Sequence, residues 1–305
     1  MKSVNPTVSR KVTEEMYKNK TIPVGGIGKS GYVRMEFELD NNGKSILRNL
    51  DRRVPLIVQQ ALYFDEQMPE LPCVYILSSG GPNVDGDRYR QEIILKEGSC
   101  AHISTGAATK IASMRHDHSA LYQFISLAEG AYLEYIPEPI IPCRNARYFS
   151  ETEIVVAPSA TLFYSEIFLC GRKYHGEVFA YDLLSLYTHA EREDGQQLFR
   201  EKMVIQPDKD CLTDTGKLHD YDVFANVIVL TPPESADELY CQTDAFIDNE
   251  KKLAAGITRL PNRCGLQYKV LGGETQLVKS AVREFCSKVR TIIKGRPVPK
   301  EFPWR

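Results

Sequence analysis

The chain reads as a mainly β protein, a β-solenoid or helical stack of strands, with two α-helices near its C-terminus. Three observations carry that reading. Short alternations of apolar and polar residues fill most of residues 30–235, turn residues separate them every 8 to 13 positions, and a weak repeat of about 30 residues runs through them. Alternation is the pattern of a sheet with one buried face. Residues 32–39, 74–77, 122–125 and 162–167 are the clearest strands.

The repeat is visible at the turns. Lys96-Glu97-Gly98-Ser99-Cys100, Ala128-Glu129-Gly130-Ala131-Tyr132 and Ala157-Pro158-Ser159-Ala160-Thr161 each set two small residues before a strand. Gly98, Gly130 and Ser159 are 32 and 29 residues apart, and Glu193-Asp194-Gly195 stands as a fourth copy 36 residues on. Units of this length bury their apolar faces against their neighbours, so they stack. A long β-sandwich is the alternative, because hairpins can produce similar spacing.

The remaining segments follow in order. Residues 1–28 are polar and lack periodicity, which reads as a flexible N-terminal arm. Residues 29–235 form the β-solenoid-like domain. The character changes after Pro232-Pro233, and residues 237–255 and 274–294 read as helices. In the second, Leu277, Val278, Ala281, Phe285 and Val289 share one helical face, with Gly272-Gly273 before it and Gly295 and Pro297 after it. Residues 236–295 are therefore expected as a helical segment packed on the β domain, where it would cover exposed strand edges. Residues 296–305 are a tail.

Composition narrows the partners. Lys plus Arg number 38 against 40 Asp plus Glu, for a formal charge of -2, so the basic excess of a nucleic-acid binder is missing. No apolar run reaches the roughly 18 residues that span a bilayer. The N-terminus has no apolar signal core, so a cytoplasmic protein is expected. The 8 cysteines are scattered without a C-x-x-C pair, which reads as reduced, mostly buried thiols.

Catalytic signatures are weak. Gly25-Gly26-Ile27-Gly28-Lys29-Ser30 resembles a phosphate loop, but Pro23 stands where its first glycine should, and a strand follows. His116 and His118 flank Asp117 and could chelate a metal, although the polar setting reads as an exposed turn. Asp85 and Asp87 sit in a glycine-rich turn. No Gly-x-Ser-x-Gly elbow or His-Glu-x-x-His helix occurs. No catalytic residue is assigned, and the chain is not expected to be an enzyme.

Four segments in order resemble the UreD/UreH family of urease accessory proteins. Gly80-Gly81 with Gly86-Asp87 leads a strand. Thr105 to Lys110 is similar to a Thr-x-x-x-Thr-Lys stretch. Leu133-Glu134-Tyr135-Ile136-Pro137-Glu138-Pro139-Ile140-Ile141-Pro142 matches a Leu-Glu-aromatic-x-Pro-x-Pro-x-Ile-Pro segment. Gly171-Arg172 with Gly176-Glu177-Val178-Phe179 matches Gly-Arg-x-x-x-Gly-Glu-x-Phe. The resemblance spans roughly residues 30–295.

That resemblance implies a β-rich, solenoid-like scaffold that binds apo-urease and UreF, with the GTPase UreG joining through UreF. It implies support of nickel insertion, with Ni2+ in transit and no tightly bound cofactor. Asp87, Lys110, Glu134, Arg172 and Glu177 carry over as motif positions. Asp87, Glu134, Glu166 and Glu177 are the candidate carboxylates of a transient nickel path, since oxygen ligands hold nickel more loosely than a Cys/His cage. Thr105, Lys110, Gly171, Arg172 and Gly176 are candidate structural or interface positions. The C-terminal helices and adjoining strands are the expected UreF side. Arg172 and Glu177 could equally be a pair that holds a turn, and Asp87 a turn anchor. Two other functions are carried: a small hydrolase using Asp87 and Glu177, and a nickel store using His116, His118 and cysteines.

Overall fold

The computed structural model describes residues 28–300. The arm read over residues 1–28 lies outside them apart from Gly28, and the tail is described only to Lys300. After Lys29 the chain enters strand β1 (Ser30–Leu39), where a phosphate loop would need a helix. A hairpin leads to β2 (Ser45–Arg53), then to the short β3 (Leu56–Ile57) and β4 (Cys73–Ser78).

The solenoid follows. One coil runs through β5 (Arg88–Leu95), β6 (Cys100–Thr105) and β7 (Thr109–Ile111), and the next through β8 (Ser119–Leu127), β9 (Tyr132–Tyr135) and β10 (Ile140–Pro142). A further coil uses β11 (Arg147–Val156) with β12 (Thr161–Leu169), and the chain then re-enters the first wall as β13 (Leu183–Glu191) and turns back in an antiparallel hairpin to β14 (Gln197–Ile205). Strands β5, β8, β11 and β13 stack parallel as a first wall. Strands β4, β6, β9 and β12 stack parallel as a second. β7 and β10 form a short third strip. The result is the expected β-solenoid, with about 4 turns.

The repeat read at the turns is one corner of this stack. Gly98 and Gly130 both sit at φ 67, which favours glycine. The Gly98 N–H donates to the Glu129 carbonyl at 2.9 Å, and the Gly130 N–H donates to Ser159 Oγ at 2.8 Å. Each corner therefore supplies the acceptor for its neighbour. Antiparallel β2 and β14 close the two ends of the first wall. Exposed Arg48, Arg52 and Arg53 on β2 discourage further strand pairing there.

The C-terminal region differs from the expectation in one element. β15 (Val223–Leu230) pairs antiparallel with β12, and helix α1 (Pro233–Cys241) follows. The helix read over residues 237–255 ends there. Next come β16 (Phe246–Asp248), β17 (Leu253–Arg259) and β18 (Gly265–Gly272), which extend the second wall beyond β15. The cause is a turn: Asp248 Oδ1 accepts the Lys251 N–H at 3.0 Å, and Lys252 adopts φ 49, so the chain folds back as a hairpin.

Helix α2 (Thr275–Lys294) ends the described fold, as its pattern predicts. Val278, Ala281, Val282, Phe285, Cys286 and Val289 are buried on the outer face of the second wall, against Phe163, Ile167, Val227, Val229 and Tyr268. The inner face of that wall packs against the first wall through Tyr135, Leu162, Tyr164 and Ile228. The second wall is thus covered on both sides, which explains why β12 and β15 are apolar at nearly every position.

Candidate functional site: an interior cavity with an unpaired carboxylate

The space between the walls is not wholly apolar. A cavity of about 420 Å³ is bounded by Tyr89, Gln91, Gln123, Tyr135, Tyr148 and Glu166 inside, and by Gly81–Asn83 and Thr105–Lys110 towards its opening. Its deep polar groups form a closed row. Gln123 Nε2 donates to Gln91 Oε1 at 3.0 Å and to Tyr135 OH at 2.7 Å, while Gln123 Oε1 accepts from Thr152 Oγ1 and Tyr164 OH at 3.0 Å each. Buried amides and hydroxyls need such partners, and here every donor offered by Gln123 is used.

Glu166 lies beside this row on β12 with 5% exposure. Tyr164, two residues earlier, points into the same interior, as strand alternation requires. No Lys, Arg or His among the described residues pairs with Glu166. Burial pushes its carboxyl up to about 7, the neighbouring Tyr164 and Ser150 hydroxyls pull it back only partly, and the nearby Glu201 charge adds to the rise. Glu201 itself is spoken for by Lys269 at 2.9 Å, Asn226 at 2.8 Å and Gln267 at 2.7 Å.

The structure does not gather the four candidate carboxylates. Glu134 is on β9, paired with β12, but it faces the other way, towards α2. Arg290 of α2 clamps it with two bonds of 2.7 Å, His102 Nδ1 lies at 2.8 Å, and Tyr132 OH donates at 2.6 Å. Arg290 also binds Asp65. Burial alone would raise the Glu134 carboxyl, but the Arg290 charge and the hydrogen bonds outweigh it and hold the group well below the usual carboxylate range.

Asp87 closes the turn before β5. Its carboxylate accepts the Lys29 N–H at 2.8 Å, the Val84 N–H at 3.0 Å and the Tyr89 hydroxyl at 2.8 Å. It touches the cavity only through Tyr89. Glu177 lies in the loop between β12 and β13. It accepts from Arg172 Nε at 2.9 Å and from the Arg144 N–H at 3.0 Å. The Arg172 hydrogen bond, with the backbone of Arg144, holds its carboxyl down to about 2.

The motif glycines serve the same loop. Gly171 has φ 135, and a Cβ there would meet the Glu177 carbonyl at 2.5 Å. Gly176 caps the 3-10 turn Lys173–His175 at φ 71. Thr105 Oγ1 accepts the Glu138 N–H at 2.9 Å and donates to the Ala107 carbonyl at 3.2 Å, so it shapes the cavity opening. Lys110 is exposed at that opening. His118 is buried against Phe149, with ring centroids 4.5 Å apart, whereas His116 is exposed. Among the described residues, no group of three His, Cys, Asp or Glu side chains could hold a metal ion. Nor is any helix among them long and apolar enough to cross a membrane.

Gln91, Gln123 and Thr152 were not singled out by sequence reasoning, yet a signal was present. Gln91 and Gln123 are 32 residues apart, and Gln123 and Thr152 are 29, the same intervals as the corner residues. Arg290 was also missed, because a charged residue one position after Val289 reads as the edge of a helical apolar face.

A two-walled solenoid with an interior cavity that holds a row of polar side chains and an external helical buttress defines a β-scaffold class. A family model described as UreD urease accessory protein matches residues 29–305. A urease accessory protein UreD 2 from Brucella suis is 43% identical over 285 residues, covering 93% of this chain and 94% of its own length. Urease accessory protein UreD from Yersinia pseudotuberculosis is 41% identical over 283 residues, covering 92% and 88%. The chain belongs to the UreD family of urease accessory proteins.

Proposed function

We propose that this chain is a non-enzymatic scaffold of urease maturation in the cytoplasm. It holds apo-urease on one surface and UreF on another, UreF recruits the GTPase UreG, and Ni2+ passes through the interior cavity with Glu166 as its contact. Membership of the accessory-protein family supports the maturation role. The observation that carries the conduction step is Glu166: a buried carboxylate on the wall of the interior cavity with no cation to balance it. A divalent cation supplies the missing charge.

Neutral amide and hydroxyl oxygens from Gln91, Gln123 and Tyr135 continue the lining. One carboxylate with neutral oxygens binds nickel weakly enough to release it, which suits cargo better than storage. Asp87 and Glu177 act here as fasteners of the turns around the cavity, and Glu134 as the fastener of α2. The hydrolase alternative loses support for the same reason, since the Asp87 and Glu177 carboxylates are filled by donors from their own turns and from the neighbouring Lys29 and Arg144 backbone.

The test is urease activation in cells that co-express urease and all accessory proteins with either the native chain or Glu166→Gln. Activity and urease nickel content should fall at least about tenfold with Glu166→Gln, while pull-down on apo-urease still recovers the chain with UreF and UreG. Full activation by Glu166→Gln would remove the conduction step. Failure of the native chain to co-purify with any of these proteins would remove the scaffold reading.

A further inference from the structure

The loop that joins β12 to β13 is built more firmly than a solvent-exposed connection requires. Gly171 and Gly176 fix its bends, Arg172 and Glu177 lock across it, and Lys173 Nζ reaches Asp222 at 2.7 Å and Glu274 at 3.7 Å beside the start of α2. On this rigid base Tyr174 stands 87% exposed and Val178 45% exposed. A large aromatic held out on a braced loop matches the anchor residues that dominate protein interfaces.

Charge is uneven around that anchor. Two surface clefts flank the loop, and Lys110, Arg172 and His175 line both. Lys110 also lines the opening of the interior cavity, and Arg144 lines the second cleft. Arg172 and Lys173 have carboxylate partners. Lys110 and Arg144 are exposed and make no ion pair within 4 Å among the described residues, while Arg144 stands near enough to Glu177 to help hold its carboxyl down. Lys110 at the cavity opening and Arg144 in the adjoining cleft thus form a positive rim beside the path read above.

We infer that this rim is a docking surface for an acidic segment of a protein partner, with Tyr174 as its apolar anchor and Lys110 and Arg144 as its charge contacts. The inference rests on the scaffold reading and deepens it. Carboxylates from the partner neutralise the rim and let a cation enter beside them. The occupant is a protein segment because a small anion would leave Tyr174 and Val178 uncovered.

The test is biolayer interferometry of the full chain against purified UreF and purified apo-urease, at low and high salt. Tyr174→Ala and the double variant Lys110→Glu with Arg144→Glu are compared with the native chain, and thermal melts confirm that each folds. For one of the two proteins, Tyr174→Ala should raise the dissociation rate at least about tenfold. For the same protein, the double variant should slow association and flatten its salt dependence. Native-like kinetics in both variants would overturn the docking surface and leave the scaffold reading standing. A native chain that binds neither protein would overturn both. If light scattering shows instead that Tyr174→Ala abolishes self-association, the face belongs to a second copy of this chain and the acidic-segment assignment falls.

Discussion

Glu134 and Glu166 are carried by adjacent, hydrogen-bonded strands, are both buried, and do opposite things. Glu134 points out of the solenoid into a helix that supplies Arg290. Glu166 points between the walls, where its neighbours are neutral or acidic. The first carboxylate is charged and consumed by the fold. The second is left without a counter-charge and has its proton affinity raised to about 7. Burial costs both groups the same kind of free energy, and the partner on the other side decides whether the charge survives. A buried acid on this pair of strands is therefore either braced by a counter-charge or left unpaired according to which face of one sheet it occupies.

The largest expected effect comes from breaking the brace. Arg290→Ala leaves Glu134 and Asp65 buried without their cation, and loss of a buried partner costs about 3–5 kcal/mol. Urea or thermal unfolding should show that loss, or the variant should fail to fold. A change under about 1 kcal/mol would mean that the helix is held by its apolar face alone. Phe285→Ala, which empties that apolar face, gives the matching scale at about 3–5 kcal/mol.

The two acids should also respond oppositely to pH. Glu166 has a folded value of about 7, above its ordinary 4.5. Its contribution is fully present below 4.5, fades as pH rises towards 7, and is gone above that. Glu166→Gln should therefore stabilise the chain above pH 7 by on the order of 1–3 kcal/mol and change little near pH 4. Glu134 is depressed, so its contribution is present above its ordinary value of 4.5 and is lost as acid drives the pH below it. Unfolding free energies across pH 4 to 8 should show a curve whose neutral-range fall disappears in Glu166→Gln. Persistence of the same fall would assign it to another group.

Gln123→Leu should cost about 1–3 kcal/mol, because it removes a donor from Gln91 and Tyr135 and the shared acceptor of the Thr152 and Tyr164 hydroxyls, which keep only the Tyr135–Gln91 and Thr152–Tyr164 bonds. The smallest effect belongs to the surface loop. Glu177→Ala should lower stability by under about 1 kcal/mol, since Arg172 is half in solvent, while still impairing urease activation by loosening the loop. Circular-dichroism melts and the activation assay separate those two readouts.

Parts of this were open to sequence reading. The corner residues Gly98, Gly130 and Ser159 announce the stack because each sits where the backbone must turn, and the face of α2 is plain from its periodicity. The hairpin of β16 and β17 reads as helix in the sequence because Asp248 and Lys252 look like helix-surface residues until the turn bond is seen. The facing of Glu134 and Glu166 was beyond reach. Alternation tells which neighbours share a side, but a wall covered on both faces is apolar at both parities, so neither side is marked as the interior. Arg290 likewise acquires its role only from strands more than a hundred residues away in sequence.

The most direct measurement is nickel binding by the assembled accessory complex, followed calorimetrically with the native chain and with Glu166→Gln, Glu134→Gln and Asp87→Asn. Weak binding that is lost in Glu166→Gln and retained in folded Glu134→Gln and Asp87→Asn is the predicted result. Unchanged nickel binding in Glu166→Gln would contradict the account.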